Sequence, residues 1–150
     1  MTYATPQDLI DRLGLREATA ISDRNGTGLP DTAVLTTALA EAEVEVNSYL
    51  GRRYLLPLTS ADTNQVVVPS LLKRVVIDIA RYRQTGTEIM ETDSIRNRYK
   101  DAIRLLEQIA EGKVSVGNLL PAPSGGPAAL GGATATRTGE KTFGDLSGVL

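Results

Sequence analysis

The stretch from Asp31 to Gly51, DTAVLTTALAEAEVEVNSYLG, decides the fold class. Val34, Leu35, Ala38, Leu39, Ala42, Val46, Tyr49 and Leu50 recur at steps of three and four, the spacing that puts side chains on one face of an α-helix. Asp31 is the expected N-cap and Gly51 the expected stop. Glu41, Glu43 and Glu45 cannot share one face, because neighbours two apart point about 200° from each other. They surround the stripe, and no Lys or Arg within this helix compensates them.

Working back toward the start of the chain, the loop DRNGTGLPD (residues 23–31) separates this helix from a short one opened by Thr5, Pro6 and Asp8 and closed near Gly14. Residues 15–21 add a turn or two. Asp23, Asn25 and Thr27 at the first, third and fifth places with Gly28 sixth match the opening of a calcium loop, but the twelfth position is Val34, where a bidentate Glu belongs. A turn leading into the Asp31 cap accounts for the same residues.

Working forward, residues 52–69 hold Pro57 and the β-branched run Val66 to Val68, which predicts an irregular or partly extended connection. Structureless loops longer than about 12–15 residues are commonly functional, so this one is a candidate contact surface. The next helix starts at Pro69 or Ser70, with Leu72, Val75, Val76, Ile79 and Ala80 inward and Lys73, Arg74, Asp78 and Arg81 outward. A last helix begins near Thr92 or Ser94, carries Ile95, Tyr99, Ala102, Ile103, Leu106, Ile109 and Ala110 on one face, and ends at Gly112.

Charge and glycine divide the chain at that point. Residues 1–112 hold 29 charged side chains and 6 Gly; residues 113–150 hold 5 charges, 8 Gly and 3 Pro, with the run PAPSGGPAALGGATATRTG at 121–139. So little apolar surface cannot offset a chain entropy of roughly 1–2 kcal/mol per residue. The expected organisation is therefore a mainly α-helical, compact four-helix domain over 1–112 with a long irregular loop, followed by an extended Gly/Pro-rich arm over 113–150 that takes its order from neighbouring subunits. Phe143, Leu146, Val149 and Leu150 are the arm's concentrated apolar group and its expected anchor, and the TATRT segment at 134–138 could add an edge strand to a partner.

With 150 residues, no His and no Cys, the chain has no Ser-His-Asp triad, Cys nucleophile, Cys/His zinc site or disulfide. Its carboxylates show no acid/base frame and its glycines no P-loop order, so no catalytic, cofactor or metal residue is assigned and the protein is not expected to be an enzyme. No apolar run is long enough to span a bilayer. A formal net charge of −2 argues against a protein that coats nucleic acid. Basic residues do gather at Arg52, Arg53, Lys73, Arg74, Arg81 and Arg83 and again at Arg96, Arg98, Lys100 and Arg104, but Asp78, Glu88, Glu91, Asp93 and Asp101 interrupt them. A basic ridge at Arg96, Lys100 and Arg104 leaves a small DNA-binding packaging or regulatory protein as the alternative function.

The order of segments carries a resemblance. YATPQDLIDRLG (3–14), LTTALAEAEVEVNSYLGRRYLLPL (35–58), VPSLLKRVVIDIARYR (68–83) and RYKDAIRLLEQIAEGKVSVG (98–117) together resemble the small virion protein family of Mu-like phages and prophages, viewed as head-tail adaptor or neck proteins. The resemblance covers about residues 1–118 and is most specific at SYLGRRYLLPL. It implies a structural subunit of a homo-oligomeric ring, twelvefold, made in the bacterial host cytoplasm and set in the virion neck below the portal protein. There it would extend the DNA channel and meet the next neck or tail-completion protein, while duplex DNA passes without specific binding. On that reading Glu41, Glu43 and Glu45 are candidates to face the channel, where like charge keeps DNA from sticking. Arg52, Arg53 and Tyr54 are candidate subunit contacts. An alternative for the last group is that Tyr54, Leu56 and Leu58 fold the loop back onto their own core.

Overall fold

Side-chain caps set most of the helix starts. In the computed structural model, which describes residues 1–86 and 90–123, five helices follow one another: α1 (Pro6–Leu13), α2 (Leu15–Ser22), α3 (Thr32–Leu50), α4 (Ser70–Gln84) and α5 (Asp93–Ala110). The Thr5 hydroxyl accepts from the Asp8 amide and the Asp8 carboxylate accepts from the Thr5 amide, a reciprocal capping box with Pro6 at the first helical position. Asp31 accepts from the amides of Ala33 and Val34, and Thr92 from that of Ile95. Residues 15–22 form a complete helix, which makes five where the apolar spacing suggests four.

The turn before α3 is closed by its own backbone. Asp23 accepts from the amides of Thr27 at 2.9 Å and Gly28 at 2.7 Å, and these bonds hold its carboxyl below the usual range. Ser22 is fully buried; its hydroxyl donates to the Ala18 carbonyl at 2.6 Å and accepts from the Asp31 amide at 3.0 Å, pinning the end of α2 to the start of α3.

α3 buries Leu35, Ala38, Leu39, Ala42, Val46 and Leu50, the stripe legible in its sequence. α4 lies against α3 and α5 and also touches α2, so it is covered on several sides: Val75 to Ala80 are all buried. That coverage corrects the outward placement of Asp78, whose side chain is about 10% exposed beneath Arg12 of α1. α5 buries Ile95, Ala102, Leu106 and Ile109. It ends in a Schellman motif: the Lys113 amide donates to the Gln108 carbonyl and the Gly112 amide to that of Ile109, with Gly112 at φ +81°.

The contacts of the body do not stop at Gly112. Residues 114–122 return along the loop after α3, with the amides of Leu55, Leu120 and Ala122 donating to the carbonyls of Leu120, Thr59 and Arg53 at 2.8–2.9 Å. Isolated bridges pair Tyr54 with Pro121 and Ser60 with Leu119, while Thr59 pairs with Val66 inside the loop. Val114, Val116 and Leu119 pack against the core. The loop is thus irregular but anchored. Residues 124–150, most of the arm, lie outside the described residues.

Two outcomes follow from this packing. Leu106→Ala, at a fully buried position, is expected to lower unfolding free energy by about 2–5 kcal/mol, measured by urea denaturation. Asp8, held by Lys73 at 2.8 Å and by the Thr5 amide, has its carboxyl pulled from 3.8 down to about 2. A depressed carboxyl pKa contributes stability above the unfolded value that is lost as pH falls from about 4 toward 2. Asp8→Asn should therefore have a flatter melting-temperature profile than the parent chain across that window.

Candidate functional site

The sequence nominates two surfaces: the residues just after α3 and the three glutamates within it. At the first, Tyr54 is buried and its hydroxyl accepts from the Val116 amide at 3.5 Å. Leu58 is fully buried and Leu56 half-buried, so the loop folds onto the core of its own chain. The Arg53 guanidinium sits 5.7 Å from the Tyr54 ring centroid and lies over Gly112; a Cβ at that glycine would come within 2.0 Å of its Nη1. A cation at the carboxyl end of α5 is favoured by the helix dipole. Arg53 and Tyr54 therefore brace the end of α5, and Arg52 is the exposed member of the trio, 6.0 Å from the Tyr49 ring centroid.

The glutamates separate in the same way. Glu43 accepts from the Tyr3 amide at 2.5 Å, while the Tyr3 hydroxyl donates to Asn47 at 2.7 Å. Burial and then Glu43 push the Tyr3 phenol up to about 12. Glu45 takes Nε and Nη2 of Arg83 at 3.0 and 2.6 Å on one oxygen and the Tyr99 hydroxyl at 3.2 Å on the other. Tyr99 stacks on Tyr82 with centroids 4.2 Å apart. The missing counter-charge for α3 thus comes from α4, something spacing within one helix cannot reveal. Glu43 and Glu45 are thus engaged by groups of the same chain. Glu41 is exposed and makes no ion pair or hydrogen bond among the described residues. Phe143, Leu146, Val149 and Leu150 lie outside the described residues.

One feature escapes sequence reading. Arg12 of α1, Arg74 and Asp78 of α4, and Arg98 and Asp101 of α5 converge on a cavity of about 180 Å³ floored by Val75, Ala102 and Leu105. The available signal was Asp78 itself, a carboxylate between Ile77 and Ile79 in an otherwise apolar run. Its Oδ1 is buried without a hydrogen bond, and Nη2 of Arg12 stands 3.5 Å away. The basic ridge on α5 is weaker than its spacing suggests, because Arg96 is paired with Glu91 and Asp93.

The profile of the family described as Bacteriophage Mu, Gp36 matches residues 3–130, from the α1 cap through the returning segment. The chain belongs to the Mu Gp36 family. Gene product J of Escherichia phage Mu is 37% identical over 118 residues, covering 78% of this chain and 77% of that protein. The Mu-like prophage FluMu protein gp36 of Haemophilus influenzae is 36% identical over 115 residues, covering 77% and 75%. This Gp36-family member is accordingly a Mu-like phage protein with a mainly helical body. Among the described residues no helix is long and apolar enough to cross a membrane, and no group of three or more acidic side chains is placed to hold a metal.

The Glu45 cluster joins α3, α4 and α5 at one end of the body. Glu45→Ala is expected to destabilise the subunit by about 1–2 kcal/mol, the lower part of the range for charged hydrogen bonds because Arg83 is 45% exposed. Comparison of thermal melts of E45A, R83A and the double variant would measure the coupling.

Proposed function

We propose that this protein is a structural, non-enzymatic virion subunit, a head-tail connector that forms a twelvefold ring below the portal protein. In this reading the ring extends the DNA channel, links the capsid to the next neck or tail-completion protein, and lets duplex DNA slide past without specific binding. The observation that carries the proposal is the match to a Mu phage family across residues 3–130. Its boundaries enclose the helices, the anchored loop and the returning segment as one unit, so the whole folded body rather than an isolated motif is what the family shares.

Three features of the body suit mechanical work. Arg53 and Tyr54 fasten the loop after α3 to the end of α5, which makes that corner stiff. Arg52 remains exposed beside it and is the member of the trio available to a neighbour. Of the acidic candidates, Glu41 alone stays exposed with no ion pair or hydrogen bond among the described residues, for a channel wall or a subunit contact. The arm over 124–150, carrying Phe143, Leu146, Val149 and Leu150, is assigned to contacts with neighbouring subunits.

A DNA-binding regulator is the competing reading. It requires a continuous basic ridge on α5, and Arg96 at the head of that ridge is neutralised by Glu91 and Asp93. Phage production without this chain separates the two. A connector predicts DNA-filled heads and free tails that fail to join, seen by electron microscopy, and joining restored by the full-length chain. Normal tailed particles lacking the chain would overturn the proposal, and salt-dependent duplex binding by the purified subunit would favour the regulator.

A further inference from the structure

The cavity between α1, α4 and α5 is shaped and charged for a partner's side chain. Three guanidinium groups line it against two carboxylates, so its local charge is net positive. Arg12 is drawn toward Asp78, whereas Arg74 and Arg98 are exposed and make no ion pair or side-chain hydrogen bond among the described residues. Arg98 and Arg74 thus present planar donor forks that no carboxylate holds in an ion pair among the described residues, the arrangement that recognises a carboxylate. The volume of about 180 Å³ accommodates a side chain, and the floor of Val75, Ala102 and Leu105 offers apolar contact beside the charge.

The same chain carries a surface of matching chemistry. On the outer side of α3, Glu41 is exposed without an ion pair among the described residues, and one turn on, Val44 is 72% exposed. A carboxylate next to an apolar side chain on one helix complements two arginines next to an apolar floor. We propose that this cavity is the socket for Glu41 of a neighbouring copy of the chain, with Arg74 and Arg98 clamping the carboxylate and Val44 settling toward Ala102 and Leu105. The socket and the α3 ridge share no residue, so each socket can take the ridge of the next copy, a heterologous, head-to-tail contact. Contacts of that kind generate rings when the rotation closes. The inference rests on the ring-forming connector reading and deepens it, and it assigns Glu41 to subunit contact instead of the channel.

The absence of cysteine makes the contact directly measurable. Particles are assembled with the full-length double variant Glu41→Cys/Arg98→Cys, oxidised mildly, and run on a non-reducing gel. The expected result is a ladder of covalent multimers that collapses on reduction, while each single-cysteine variant stops at dimer. A second pair, Glu41→Cys with Arg74→Cys, repeats the test from α4, and thermal melts of both variants, altered only at exposed positions, verify folding. In parallel, Glu41→Arg or Arg98→Glu alone should reduce ring yield at least tenfold, and the combined exchange should restore it. Rings present in the neck with no ladder from either pair would overturn the socket and leave the connector reading standing. Particles that are complete and tailed without the chain would overturn that reading and the socket with it.

Discussion

Between Val75 and Ala80 the fourth helix is buried throughout, and the rest of the chain is arranged to make that possible. α3 covers it along one face, α5 along another, α2 touches it, and Arg12 of α1 reaches the carboxylate of Asp78. Removing a helix of this composition from water is favourable at about 25 cal/mol per Å² of apolar surface, but burying Asp78 opposes it unless a cation stays close. Arg12 at 3.5 Å is that cation, and α1 is held in place by its capping box and by the Asp8–Lys73 pair. The small first helix therefore acts as the charged lid of an otherwise apolar arrangement.

The same logic of supplying charge from a different element recurs at the other end of the body. α3 contains three glutamates and no basic residue, yet Glu45 is paired with Arg83 of α4, and Glu43 accepts a hydrogen bond from the amide of Tyr3 near the chain start. Among the described residues Glu41, Arg74 and Arg98 stay exposed without an ion pair, as do Arg16, Arg52, Lys100, Asp101, Arg104 and Glu107.

The segment after α5 changes how the domain division is understood. Gly112 terminates the helix through backbone geometry, but the chain from Val114 to Ala122 lies against the loop after α3 and contributes to the core. Between Val114 and Ala122 an extended, paired segment without charged side chains follows the solvent-facing helix. The change of composition thus marks a change of secondary structure, and the packed unit runs on to residue 122.

Local chemistry in the sequence determined the helices and their ends, since caps at Thr5, Asp31 and Thr92 and the stop at Gly112 act within a few residues. It also determined the apolar stripes of α3 and α5 and the Mu-like family relationship, which is carried by the order of local segments. Only the tertiary structure decided what became of charged and aromatic side chains. Asp78 reads as an outward residue because its own helix cannot show that α1 lies over it. Tyr54 reads equally well as an interface anchor or a core residue until the returning segment at Val116 closes over it, and Glu45 reads as exposed until Arg83 is brought beside it. In each case the deciding partner is distant in sequence, and the energy of a charge depends on the groups that replace its water. Long-range packing, which no periodicity encodes, therefore selected which charged and aromatic groups stay on the surface.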